Sequence, residues 1–118
     1  MQSNSLPHHH HKSEELLKKI PDLQDFSIVS DLFKMLSDET RLRIFWILCH
    51  SEECVINISA LMNMSSPAVA HHLRKLRNTK LITSRKEGKE VYYKAANTNE
   101  ANALHHMIED MMEISCPQ

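Results

Sequence analysis

A chain of 118 residues with 42% hydrophobic and 25% charged content has the size and balance of one domain with a modest core. No run approaches the roughly 18 consecutive apolar residues of a membrane span, and no basic stretch leads into an apolar one at the N-terminus, so neither a span nor a secretory signal is expected. The net charge of −1 hides a split: residues 71–94 set Arg74, Lys75, Arg77, Lys80, Arg85, Lys86, Lys89 and Lys94 against Glu87 and Glu90, a local +6 that leaves −7 elsewhere. Such a split is what a polyanion-binding surface produces, although a solvated lysine-rich face has the same composition.

One glycine (Gly88) and four prolines predict a mainly α fold, because β-rich folds need more turn glycines. Three cysteines, Cys49, Cys54 and Cys116, form no disulfide framework and suggest reduced thiols in a cytoplasm. Residues 1–12, with His8, His9, His10 and His11, read as a flexible arm, and residues 13–118 as the folded domain. Four histidines in a row suit a metal-binding half-site, a loose tail or a tag remnant.

Residues 13–20 have the apolar spacing of a short helix ended by Pro21, and residues 26–36 form a second helix. Asp38 and Glu39 place negative charge at the start of a third, residues 40–50. Asn57 is positioned to cap a short helix over 58–64, and Ser66, ahead of Pro67, to cap a longer one reaching Thr79. Residues 81–85 and 91–95 then read as a hairpin around Gly88, and residues 100–114 as a closing helix.

At ~100° per residue, Val69, Leu73 and Leu76 share one face of the 66–79 helix, while His71, Arg74 and Asn78 share the opposite face with Lys75 beside them. A short helix followed by one with a basic outer face is a helix-turn-helix, which seats its second helix in the major groove. Arg74 and Arg77 suit phosphates or guanine edges; Ser65, Ser66, His71 and Asn78 suit phosphates or bases; His72, nearer the apolar flank, suits packing. Arg85, Lys86 and Lys89 would form a basic wing. The order predicts a winged helix-turn-helix that binds double-stranded DNA. A winged helix used only for protein–protein contacts is the alternative from another class. No nucleophile–base set, phosphate loop or acid/base pair suggests an enzyme.

The segments LFKMLSDETRLRIFWIL, EECVINISALMNMSSPAVAHHLRKLRNTKLI and SRKEGKEVYYKA resemble the ArsR/SmtB family of metal- and thiol-responsive repressors, over residues 32–95. The resemblance implies a homodimeric winged helix with its first and last helices at the interface, bound to operator DNA until an inducer releases it. Ala70 stands where many members carry a serine that touches DNA. The last helix fits the dimer role, since Ala103, Leu104, Met107, Ile108, Met111 and Ile114 make one wide apolar face.

The resemblance also suggests where an inducer binds. Cys54 lies in the stretch where metal-sensing relatives carry a cysteine, but Ile56 and Asn57 replace further ligands, so the set must be completed elsewhere. In some relatives an N-terminal arm supplies it, and His8 to His11 precede Cys54 at the matching offset; a mixed His/Cys set suits zinc or another borderline or soft divalent ion. On the last helix the relatives' metal positions correspond to Asn97, Asn99, Asp110 and Glu113, so only the later acids are kept; His106, Asp110 and Glu113 share a face at i, i+4, i+7 as a second candidate. A third reading is a thiol switch using Cys49 and Cys116, near positions where some relatives carry redox cysteines.

Overall fold

The computed structural model describes residues 6–8 and 10–116. Its order is α1 (His11–Lys19), α2 (Leu23–Leu36), α3 (Glu39–His50), β1 (Glu53–Cys54), α4 (Val55–Met62), α5 (Ser66–Asn78), β2 (Ile82–Glu87), β3 (Glu90–Ala95) and α6 (Asn99–Ser115). The protein is mainly helical with a small three-stranded antiparallel sheet, ordered β1-β3-β2. Two compact units meet in sequence between Asp31 and Leu32.

In the first unit, α1 begins at His11, two residues earlier than its apolar spacing predicts, and His11 Nε2 lies 3.1 Å from Glu15 Oε1 one turn on. Neither α1 nor α2 contains a buried residue. Leu16, Ile20, Phe26 and Val29 are therefore left exposed.

In the second unit the core is built where α3, α4, α5 and α6 meet the sheet. Ile44, Phe45 and Leu48 of α3 pack with Ile58 and Met62 of α4, with Val69, Leu73 and Leu76 of α5, and with Ala101, Leu104 and Ile108 of α6. The apolar face expected of α5 is thus the buried one. Asp38 caps α3, its carboxylate accepting the Arg41 backbone N–H at 3.0 Å. That hydrogen bond is the largest cause holding the Asp38 carboxyl below the usual carboxylate range. Asp38→Ala is expected to cost about 1 kcal/mol of stability, read from the urea midpoint. Because the folded pKa is depressed, the ionised cap stabilises above the unfolded-chain value and the effect fades as pH falls through the folded one. The Asp38→Ala difference should therefore be larger at pH 7 than at pH 3.

Four local features differ from what the residue order predicts. The strand β1 is a pairing the sequence did not reveal: two residues join β3 through Glu53↔Tyr93 and Cys54↔Tyr92. The chain passes from it straight into α4, so Asn57 lies inside the helix and its amide donates to Glu53 Oε1 at 3.0 Å instead of capping. The cap of α5 is Ser65 rather than Ser66: Ser65 Oγ accepts from Ala68 N at 3.3 Å, and Pro67 sits in the first turn, where a missing N–H leaves nothing unbonded. The hairpin also runs further than expected, pairing through Glu87↔Glu90 and leaving a two-residue turn. Gly88 takes the positive φ of 63° at its first position, as a type II′ turn requires.

Candidate nucleic-acid interface

The two helices of the helix-turn-helix are α4 and α5. Asn63 ends α4 in the left-handed conformation (φ 54°), which turns the chain sharply toward the Ser65 cap. The hydroxyls of Ser59, buried on α4, and Ser66, on α5, lie 3.2 Å apart and tie the two helices together. Ser66 thus has a structural partner that the sequence did not indicate.

With Val69, Leu73 and Leu76 buried, the opposite face of α5 is left to solvent. Ser65, His71, Arg74, Lys75, Arg77 and Asn78 are all exposed. Lys75 also lines a cleft with Lys34 and Arg41, which adds positive potential at the edge of this face. His72 is half-buried; its Nδ1 has no hydrogen-bond partner and burial pushes its pKa down, so it packs as a neutral ring.

Lys86 and Lys89 lie exposed around the turn of the β2–β3 hairpin. Arg85 differs from them. Its Nε and Nη2 each donate to a Glu52 carboxylate oxygen at 2.9 Å, Nη1 lies 3.4 Å from Glu87, and the guanidinium sits 5.2 Å from the centre of the Tyr92 ring. Its charge is offset by two carboxylates. Arg85→Ala is therefore expected to change DNA affinity less than the Lys86→Ala, Lys89→Ala pair does, in a fluorescence-anisotropy titration. An equal or larger loss for Arg85→Ala would show that the guanidinium leaves Glu52 on binding.

The profile of the arsR family of bacterial regulatory proteins matches residues 38–84, which span α3 to the start of the wing. The chain is 30% identical over 105 residues to a transcriptional repressor SmtB homolog of Synechocystis, covering 89% of this chain and 80% of that protein. It is 40% identical over 81 residues to the cadmium resistance transcriptional regulatory protein CadC of Listeria innocua, covering 68% of each. The chain belongs to the ArsR family. Its members are transcriptional regulators and not enzymes. The ArsR-type winged helix also aligns with reduced HlyU of Vibrio cholerae at a TM-score of 0.68 and 29% identity, over 79% of this chain and 94% of that one.

The candidate inducer residues of this ArsR-family chain fall in both units. His8, His10 and His11 belong to the first unit; His9 lies outside the described residues. Cys54, in the second unit, is 6% exposed at the junction of β1 and α4. Cys49 is half-buried and lines a cavity of about 300 Å³, whereas Cys116 is exposed and lines a separate apolar groove. Burial, and then the nearby Glu109 charge, raise the Cys49 thiol to about 11. At neutral pH it is protonated and a poor nucleophile, which does not favour a thiol switch.

His106, Asp110 and Glu113 are exposed along α6 and their ligand atoms are not drawn together. Among the described residues the set that converges is His50, His105 and Glu109. The correction is one of helical phase. His105 and Glu109 have the same i, i+4 spacing as His106 and Asp110, but stand one residue, ~100°, around the helix, and so meet the end of α3. The residue order pointed to the pair one position on, and the third member of the converging set, His50, lies 55 residues away in the chain.

Proposed function

We propose that this chain is a metal-responsive repressor that binds operator DNA as a homodimer and releases it when a divalent ion, zinc by preference, is bound. The observation that carries the reading is the exposed face of α5, with His71, Arg74, Lys75 and Asn78 beside the Lys86–Lys89 wing, in a chain of the ArsR family. A capped helix with a basic outer face and an apolar inner one fits the major groove and positions the wing against phosphates. Resemblance to CadC and to the SmtB homolog supports a metal as the inducer.

Dimerisation is supported by apolar surface that each unit leaves uncovered: Leu16, Ile20, Phe26 and Val29 in the first, and Met107, Met111, Met112 and Ile114 on α6 in the second. A twofold dimer would set two α5 helices about one DNA turn, ~34 Å, apart. No described helix is long and apolar enough to cross a membrane; we place the protein in the cytoplasm with its DNA.

For the metal, a Cys54 thiolate with imidazoles from His8 to His11 has donors of the right chemistry for zinc. The burial of Cys54 means that the β1–α4 junction must open locally to admit an ion. Bound metal supplies coordination energy that favours one dimer conformation over another, and release follows from that difference. In anisotropy titrations on a duplex selected from a random pool, saturating zinc is expected to weaken binding about tenfold or more, within the usual range of allosteric coupling. Cys54→Ser or deletion of residues 8–11 should blunt the response if those residues hold the ion. Unchanged affinity at saturating zinc would refute the metal response.

A further inference from the structure

We infer that His50, His105 and Glu109 form a divalent-metal site within one protomer, joining the last turn of α3 to the middle of α6, with zinc as the ion the donor set suits. Its existence is independent of DNA binding; only its regulatory use rests on the repressor reading above.

The three donor atoms already stand at ligand spacing. Glu109 Oε1 lies 2.8 Å from His50 Nε2 and 3.1 Å from His105 Nε2, and the two Nε2 atoms lie 3.3 Å apart. Donors held about 2.0–2.1 Å from a tetrahedral zinc are separated by about 3.3 Å. Shifts of a few tenths of an ångström would therefore let one ion sit among the three atoms. Two imidazoles and one carboxylate are an established zinc donor class that leaves a position open. The cavity of about 300 Å³ lined by His50 and His105, together with Asn97 and Asn102, gives water access to that position.

The hydrogen bonding among these groups also favours an ion. Trp46 Nε1 donates to Glu109 Oε1 as well, at 3.1 Å, so three ring nitrogens lie within hydrogen-bond distance of one carboxylate oxygen. An ionised carboxylate only accepts, so with both imidazoles donating to it from Nε2 the close Nε2–Nε2 pair gains no hydrogen bond of its own. A cation satisfies all three donor atoms at once: each neutral imidazole moves its proton from Nε2 to Nδ1, with none lost overall. The Trp46 N–H can then remain as the partner that orients the carboxylate.

The support is also built in advance. Trp46 and His50 are one turn apart on α3, with ring centroids 4.3 Å apart, and His105 and Glu109 are one turn apart on α6. The His50 and His105 rings meet edge to face at 5.0 Å. Each helix therefore offers an i, i+4 pair to the other, and the rings fix one another's orientation. An ion here would pin α3 to α6, the helix proposed to form the dimer interface.

The test uses the full chain with His8, His9, His10 and His11 changed to Ala and Cys54→Ser, which removes the arm and Cys54 as ligands. Titration with cobalt(II) is expected to saturate at one ion per protomer with visible d–d bands and no thiolate-to-cobalt charge transfer. Glu109→Gln, which keeps an oxygen for Trp46, and His105→Ala should each weaken zinc affinity at least tenfold in competition with a chromophoric chelator. Zinc should raise the thermal midpoint of the parent chain but not of Glu109→Gln. No saturable binding, affinity unchanged by both substitutions, or a thiolate band would overturn the site. Because no readout involves DNA, zinc that binds here yet leaves DNA affinity untouched upholds the site and refutes the metal response. Zinc that releases DNA without binding here refutes the site alone.

Discussion

Phe45→Ala is expected to destabilise the protein by about 3–5 kcal/mol, the range for removing a fully buried aromatic side chain. Phe45 is 0% exposed, on α3, and belongs to the cluster that joins α3 to α4, α5 and α6. Its truncation removes apolar area from the one core of the second unit and leaves a void that neighbours fixed on four helices can only partly fill. Domains of this size are commonly stable by about 5–15 kcal/mol, so the variant should unfold at far lower urea and lose DNA binding because the fold itself is weakened. Urea titration followed by circular dichroism reads the effect. A cost below about 2 kcal/mol would show that the site collapses easily, and that the helices are less firmly set than their packing indicates.

The second large effect concerns DNA and leaves the fold intact. Arg74→Ala is expected to weaken binding by about fivefold to 150-fold per protomer, the 1–3 kcal/mol attached to a good guanidinium–base pairing. Arg74 lies at the centre of the exposed face of α5, on the side opposite Leu73 and Leu76, so truncating it leaves the core packing untouched. Its thermal midpoint should match the unmodified chain. Salt separates the two roles open to it. If Arg74 holds a phosphate, its removal lowers the slope of log affinity against log salt by about one and all sequences suffer alike. If it reads a base, the slope holds and discrimination at one position relaxes. Affinity unchanged on both counts would mean that α5 does not face DNA.

Much of this architecture is legible in residue order because it is written in local terms. Each helix has its own apolar period, and Asp38 announces the start of α3. The basic face of α5 needs nothing beyond a 3.6-residue repeat and Leu73 and Leu76 behind it. Pro67 located the start of α5 to within one residue; only the Ser65–Ala68 hydrogen bond decided which serine capped it.

What the chain order could not decide depended on residues distant in sequence. Strand β1 is two residues long, too short for any alternation, and exists because β3 offers a free edge to Glu53 and Cys54. Arg85 has the look of a free wing cation until Glu52, 33 residues earlier, is seen to hold it. His50 reads as the end of a helix, and His105 and Glu109 as part of a polar face; their ligand atoms meet only because α3 and α6 pack on a shared core. Sequence by itself therefore determined the order of a winged helix and the basic outer face of α5, since both follow from periodicity and charge along single elements, and its resemblance to the ArsR/SmtB family pointed to the family. Tertiary structure alone decided which cations are already paired and which donors converge, because distances between elements are set by packing.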